Sequence, residues 1–596
     1  MLNTKRRVGV LAMSTVVAGI AQAGSFQNDA GTVQGSFDST FTAGFGRRLA
    51  SQSCGLVGDP QSACGAAANV AQWSAGDNGD LNYNKGDYFT AYVKGTHEVL
   101  LKMPDDWKFM ARASWLRDFK AGDTRRTDLS DDATKQVVRD FRVLDLWVSK
   151  NFSVDGYDGR VRLGNQVLNW GESLFAIGGI NATNALDLQR LLVPGTQIKE
   201  AVLPAPMISA TTSLAPGLNV EAYYQFRWNR NRVPPVGSYF SAADYYDKGR
   251  EPVGFSGANF NATSVDPASL LGTRSYSANA ALNAISANGD FAVPIEADRT
   301  PKQSGQYGVA LHYKPAEVDY GFYFLNYHDK SPVLNLVNGA AAYQWQFREN
   351  RKLYGVSANL PVGNWAVGTE LSYRPKDAVS LSGCFGAGGA LDANSNTAVG
   401  VSDCPLWVDK EKYQLHLTAM LQLTPGDHDG VLSLLGADSA YLSMEGVAVR
   451  YAGVGPNKRI RRNVQGVAVD QVPAAGYLVF LDRGAGAAPL AAGGGTANSG
   501  GYVADFNWTY DGKLLPGWQV TPGLTFSHSL YGDTPTFTAN YLKGAKALNF
   551  YVLFNQNPAT WQAGINLTKY FGGKGDPTRQ VYADRDFIGA FVSRNF

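Results

Sequence analysis

Along much of this 596-residue chain, apolar and polar side chains alternate with a period of two. Leu218, Val220, Ala222, Tyr224, Phe226 and Trp228 fall on one side of a segment. Asn219, Glu221, Tyr223, Gln225, Arg227 and Asn229 fall on the other. Tyr413, Leu415, Leu417, Ala419, Leu421 and Leu423 likewise oppose Gln414, His416, Thr418, Met420 and Gln422. The last stretch alternates Phe587, Gly589, Phe591, Ser593 and Asn595 with Ile588, Ala590, Val592, Arg594 and Phe596. Segments of about ten such residues have the length of strands tilted across a bilayer, not of the shorter strands of soluble sheets. Eighteen can be placed, from Val33–Arg47 to Asp586–Phe596. The apolar set predicts the lipid face, because a charge at mid-bilayer on a barrel wall costs about 2 to 4 kcal/mol.

The connections sharpen this reading. Every even-to-odd link is short and rich in turn residues, as in Pro104-Asp105-Asp106, Ala215-Pro216-Gly217 and Pro361-Val362-Gly363-Asn364. Most odd-to-even links are long, with loops expected at 48–85, 169–206, 231–303, 375–412 and 452–501. Short turns at one end and long loops at the other are what a barrel with periplasmic turns and extracellular loops requires. The fold class expected is all-β: a single transmembrane antiparallel β-barrel over 24–596, of about 18 strands with 14–16 as the alternative, its long loops partly folded into the lumen. Aromatics at strand ends, among them Trp107, Trp365, Trp518 and Trp561, suit interfacial girdles.

Composition agrees. Sixty-six Gly, 29 Tyr, 29 Phe and 17% charged residues describe a turn-rich, aromatic-rich β protein. A mean hydropathy of -0.19 and the lack of an interior apolar run of about 18 residues exclude a helical membrane bundle. Lys5, Arg6 and Arg7, the apolar stretch Val8–Ile20 and Ala21-Gln22-Ala23 before Gly24 read as a secretory signal peptide over 1–23. Taking those three cations from the 53 Lys and Arg leaves 50 against 51 Asp and Glu, so no basic excess points to nucleic acid. The four cysteines suit an exported chain, and nearest-neighbour pairing expects disulfides Cys54-Cys64 and Cys384-Cys404 among three connectivities. A terminal Phe596 resembles the signal by which the bacterial assembly machinery recognises outer-membrane barrels, with Arg594 departing from the usual apolar residue two places earlier.

Two stretches are candidates for chemistry. Between Arg162 and Met207 the alternation dissolves into a segment dense in amides and paired charges. Folded inward, it would narrow the lumen and present Gln166, Asn169, Trp170, Glu172, Asn181, Asn184, Asp187 and Arg190, with Glu221, Tyr223, Arg227 and His416 from the wall, to a ligand. A structural loop whose charges, Lys199 and Glu200 included, pair among themselves is the competing reading. The 231–303 excursion holds Tyr239, Phe240, Tyr245 and Tyr246, candidate aromatics of a lid over the mouth, or of a self-packed plug. No cofactor is expected; oxygen ligands between Asp77 and Asp87 are a candidate Ca²⁺ site, although they lack an EF-hand register and Asn, Asp and Gly are also ordinary turn chemistry. No Gly-x-Ser-x-Gly elbow exists, so an enzyme is not expected. A barrel lipase would need Ser and His drawn from different strands, since Ser527 and His528 point to opposite faces.

The 162–207 stretch, the signal peptide, the Tyr-rich strand before Trp228 and the barrel layout together resemble a family of Gram-negative outer-membrane barrels known mainly as a domain of unknown function. That resemblance implies traffic of hydrophobic compounds, steroid-, fatty-acid- or ester-like, alongside a periplasmic carrier and a resistance-nodulation-division (RND) type transporter. The expected function is a passive outer-membrane channel for small hydrophobic or amphipathic compounds, with partners in outer-membrane lipid and, through Phe596, the β-barrel assembly machinery. Its rivals are a general or polar-solute porin and, third, a lipase or structural barrel.

Overall fold

In the computed structural model, residues 24–596 are described except 60–61, 70–75, 256–290, 294, 338–341, 382–402, 457, 465–466, 477–493, 557–559 and 574–578. The signal-peptide reading of 1–23 therefore lies outside the described residues, as does Cys384.

All eighteen expected strands form. They are β1 (Gln34–Arg48), β2 (Tyr88–Lys102), β3 (Trp107–Asp118), β4 (Arg139–Val154), β5 (Tyr157–Gln166) and β6 (Ala205–Ala215). Next come β7 (Leu218–Gln225), β8 (Gln306–Tyr313), β9 (Asp319–Tyr327), β10 (Arg351–Val362), β11 (Trp365–Ser380) and β12 (Trp407–Leu423). The last six are β13 (Ser439–Tyr451), β14 (Asn498–Asp511), β15 (Trp518–Tyr531), β16 (Ala545–Gln556), β17 (Trp561–Gly572) and β18 (Phe587–Asn595). Each pairs antiparallel with its chain neighbours, and β18 pairs with β1 from Thr40↔Asn595 to Arg48↔Phe587. The sheet thus closes on itself, the condition for a sheet to sit in hydrocarbon with no unpaired edge. Gly24–Gln27 adds a short hairpin arm on Gln34–Phe37.

Local chemistry sets the turns. Asp105 and Asp106 (φ 56° and 59°), at the centre of the turn before Trp107, and Asp155 and Gly156 (φ 52° and 81°), the whole link between β4 and β5, have positive φ at both positions, which matches the twist of the flanking strands. The faces follow the period of two. In β12, Tyr413, Leu415 and Leu417 are 38%, 45% and 56% exposed, while Lys412, Gln414, His416 and Thr418 are buried. The apolar set faces out over an eighteen-strand wall, and the protein is a transmembrane β-barrel of the bacterial outer membrane.

Several boundaries differ from the period-two reading. Strand β7 stops at Gln225 rather than Arg230, because the following side chains are captured by neighbouring loops. Trp228 Nε1 donates to the Asp329 carbonyl at 3.1 Å, and Asn229 Nδ2 donates to the carbonyls of Leu203 and Pro204. Strands β11 and β12 continue past the 375–412 loop limits, through a bulge between Arg374 and Asp377, to Ser380 and Trp407.

One short connection carries extra structure. Between β12 and β13 a helix, Asp429–Leu435, ends at Gly436 in the left-handed region (φ 62°). Its Leu432 and Leu435 pack on Leu421, Leu423, Ala440, Leu442 and the rings of Trp365, Phe506 and Trp508, on the outer face of the wall. Val431 and Leu434 are left 43% and 87% exposed.

Candidate functional site

The 167–204 connection between β5 and β6 does not project outward. It lies inside the barrel, fixed by wall carboxylates that accept its backbone N–H groups. Glu370 Oε2 accepts from Glu172 N at 2.6 Å and Glu370 Oε1 from Ile180 N at 2.9 Å. Glu445 Oε2 accepts from three consecutive residues, Leu174, Phe175 and Ala176, at 3.3, 2.5 and 2.7 Å. Both acids are 1% exposed, and His416 between them is fully buried. His416 Nδ1 lies 2.6 Å from Glu445 Oε1 and its Nε2 lies 2.7 Å from Gln414 Nε2. Gln414 Nε2 also donates to the Ile177 carbonyl at 3.1 Å, and Arg374 Nη2 to the Gly179 carbonyl at 2.7 Å. A Cβ on Gly171 (φ 88°) or Gly179 would fall on the Glu370 carboxylate, so the loop approaches this closely only through glycine.

Beyond Ile180 the loop crosses to the opposite wall. The Tyr92 hydroxyl donates to the Pro194 carbonyl, Lys94 Nζ donates to the Gly195 carbonyl at 2.9 Å, and Lys94 pairs with Glu200 at 2.6 Å. Lys199 pairs with Glu98. Asp187 accepts the Arg190 N–H at 2.8 Å and pairs with Arg142 at 2.9 Å, while Arg190 pairs with Asp140 at 2.9 Å. The predicted pairing of Asp187, Arg190, Lys199 and Glu200 among themselves is replaced by pairing of each with the wall.

The amides and charges expected to meet a ligand are therefore brought together as anchors. Trp170 is 4% exposed, donates to Glu221 Oε2 at 2.7 Å and packs between Tyr223 and Tyr323. Gln166 is buried on Ser209 and the Met207 carbonyl. Asn184 clasps Leu168 and Asn181, and Tyr223 meets Thr183 at 3.1 Å. Glu172 Oε2 accepts from Asn359 Nδ2 at 2.8 Å. Asn169 is exposed. Arg227, past the end of β7 and exposed, leaves the inward ladder in which the sequence pattern put it.

Apart from Asn169, the side chains that the loop leaves exposed are apolar. Leu174, Phe175 and Ile177 are 39%, 42% and 37% exposed, and Leu191 and Ile198 are also exposed. Their positions were missed because nothing in the sequence marks them. Glu370 and Glu445 could have been noticed as acids at inward positions of strands without a cross-strand Lys or Arg. Next to the pinned segment, the inward positions register-paired across β14 to β17 are Asp505, Thr525, Asn549 and Thr568. The first three are half-buried and Thr568 is buried, and Tyr551, Asn507 and Asn566 link them into a hydroxyl and amide ladder. Below the loop, a cavity of about 450 Å³ is lined by Glu172, His312, Lys314, Glu317, Asp319 and Asn359.

At the mouth, the lid aromatics are committed to protein contacts. Tyr239 stacks on Phe89 at 4.1 Å and, with Phe240, packs on Phe587 and Tyr83. Tyr245 lies parallel to Trp345, and Tyr246 meets Phe537 at 4.7 Å. Tyr239, Phe240 and Tyr245 are no more than 2% exposed, so this part of the 231–303 excursion packs against the wall and neighbouring loops; residues 256–290 lie outside the described set. The Asp77–Asp87 oxygens are used likewise. Asp80 pairs with Arg48 at 2.7 Å, Asp87 with Arg125 at 2.5 Å, and Asp77 Oδ2 accepts from Gly58 N and Asp59 N. Arginines and backbone N–H groups thus stand where Ca²⁺ would have to. Cys54 and Cys64 form the expected disulfide, and Cys404 is also disulfide-bonded.

A Ser–His contact does occur, at Ser39 Oγ and His97 Nδ1, 2.9 Å apart. His97 Nε2 accepts the Trp115 indole N–H at 3.0 Å, which leaves Nδ1 as the donor to Ser39. An imidazole that donates to a serine cannot take its proton, so the pair lacks the base arrangement of a hydrolase.

Two crystal structures are similar to the chain at low identity. Acinetobacter baumannii OccAB1 is 11% identical with a TM-score of 0.43, over 96% of this chain and 98% of that one. Pseudomonas aeruginosa OpdK, determined with vanillate, is 10% identical with a TM-score of 0.38, over 94% and 98%. No curated protein matches the sequence. The family model described as protein of unknown function (DUF1302) matches residues 5–596, and the chain belongs to that family.

Proposed function

We propose that the protein is a passive channel for small amphipathic compounds. The observation that carries this reading is the pinned 167–204 loop. Glu370 and Glu445 hold its backbone while Leu174, Phe175 and Ile177 stay exposed beside the hydroxyl and amide ladder of β14 to β17, which carries the acid Asp505. A solute passing there meets apolar side chains on one flank and hydroxyls and amides on the other. An open eighteen-strand barrel would be a wide aqueous hole, so occlusion by this loop is what makes the passage selective. Lipophilic and steroid-like molecules are the far end of the cargo class, and handover to a periplasmic carrier and an RND-type transporter belongs to the same proposal. So do removal of residues 1–23 on export and recognition of Phe596 during barrel assembly. The reading assigns no covalent step.

A polar-solute porin is favoured by one feature, the mixed-charge cavity around His312, Lys314 and Asp319. Planar-bilayer recordings separate the two. With an amphipathic passage, replacing Leu174 and Phe175 by Ser weakens the block of ion current by aromatic solutes and leaves block by sugars unchanged. A polar porin conducts sugars freely and is indifferent to the change.

A further inference from the structure

Asp505, at an inward position of β14 beside the pinned loop, has no cation paired with it among the described residues. Asp505 follows Val503 on the same face of β14, and Val503 is the register partner of Glu445. The acid therefore stands next to the point where Leu174, Phe175 and Ala176 are held. Its Oδ2 accepts the Thr525 hydroxyl at 2.6 Å, and its Oδ1 accepts the Asn507 amide and the Tyr551 hydroxyl, each at 3.0 Å. These neutral donors fix the orientation of the carboxyl group. Among the described residues no Lys, Arg or His pairs with it.

Several other acids on the inner wall are neutralised or withdrawn. Glu98 and Asp145 share Arg112, and Glu200 holds Lys94. Glu370 and Glu445 are closed off behind the loop they hold. Glu172 and Glu221, engaged by Asn359 and Trp170, add negative charge of the same sign. The inward positions paired in line with Asp505, from Thr525 through Asn549 and Thr568 to Phe587, are all uncharged. A fixed charge in a narrow passage with low-dielectric walls raises the local concentration of counter-ions and repels like charge.

We propose that Asp505 is the charge filter of the passage, which selects protonated amines with an apolar body. The ammonium group is drawn to Asp505 while the apolar body lies against Leu174 and Phe175. This rests on the amphipathic-passage reading and adds the sign of the cargo.

Permeability ratios from reversal potentials in planar bilayers test it, with phenethylammonium chloride and potassium phenylacetate as probes. Wild-type protein is expected to favour phenethylammonium over phenylacetate by on the order of tenfold, as one charge acting across several ångströms at intermediate dielectric implies. Asp505→Asn brings the ratio close to one, whereas Asp505→Glu keeps it. Equal permeabilities in the wild type, or an unchanged ratio in Asp505→Asn, overturn the proposal. The reading beneath it fails by a different signal: Leu174→Ser and Phe175→Ser would leave block by both aromatic ions unchanged.

Discussion

Glu445 Oε2 accepts the backbone N–H of Ala176 at 2.7 Å across 269 residues of chain. One wall carboxylate thereby holds three consecutive N–H groups of the loop, and His416 supports its other oxygen. Replacing Glu445 by Ala removes the acceptor and leaves His416 and the loop N–H groups unpaired in a buried place. The expected outcome is a larger single-channel conductance with a noisier open state, and a barrel destabilised by roughly 3 to 5 kcal/mol, the cost of breaking a buried charged cluster from one side. Glu445→Gln, which keeps an acceptor oxygen, gives a smaller rise in conductance. Bilayer recording and thermal unfolding in detergent check both.

Lys330, just beyond β9, is 8% exposed and donates to Asn229 Oδ1 at 3.0 Å. Burial pushes its ammonium down to about 7, with Asp329 opposing the shift. The folded value lies below the unfolded one, so the folded state binds fewer protons in between. The stability this group contributes is present above the unfolded range and is lost as pH falls through about 7. Thermal midpoints should fall between pH 9 and pH 6 in the wild type, on the order of the range that buried lysines show. Lys330→Met should flatten that part of the profile.

The Cys54–Cys64 bridge closes a short loop in the connection between β1 and β2. On the chain-entropy model such a bridge stabilises its loop by about 2 to 4 kcal/mol. Reduction should expose the 49–87 connection to protease while the barrel keeps its heat-modifiable migration on gels, because the eighteen-strand ladder does not pass through the bridge.

The Asp429–Leu435 helix packs on the outer wall and leaves Leu434 at 87% exposure. Its continuity with the lipid-facing Leu421, Leu423 and Trp508 predicts immersion in the periplasmic leaflet. An environment-sensitive fluorophore at Leu434→Cys should be quenched by lipids brominated near the headgroup and not by aqueous iodide. The reverse pattern would place the helix in water.

Phe596 continues the closing ladder, its N–H donating to the Ser39 carbonyl at 2.8 Å and its carbonyl accepting from Ser39 N at 3.2 Å. Its ring meets Phe41 edge-on and lies under Arg594 at 4.4 Å. Deleting Phe596 should lower the yield of folded barrel in vesicles several-fold, and Phe596→Tyr should restore most of it, since ladder and ring contact both survive.

The barrel itself was legible in one dimension. Period-two alternation depends only on which side of a strand meets lipid, and turn chemistry is local, so the eighteen strands, the short turns at Asp105-Asp106 and Asp155-Gly156, and the Cys54–Cys64 pairing follow from neighbours in sequence. Where alternation fails, sequence says only that a segment is irregular. Whether Trp170, Asp187 and Arg190 would meet a ligand or the wall depended on Glu221, Arg142 and Asp140, which only the closed barrel brings within reach. The same holds for Glu370 and Glu445. Two carboxylates on separate strands become anchors for one loop because closure turns their faces inward, and in holding its backbone they leave Leu174 and Phe175 exposed beside Asp505. Strand length and sidedness are properties of local pattern, whereas the contents of the lumen are set by contacts hundreds of residues apart, which only the tertiary structure decides.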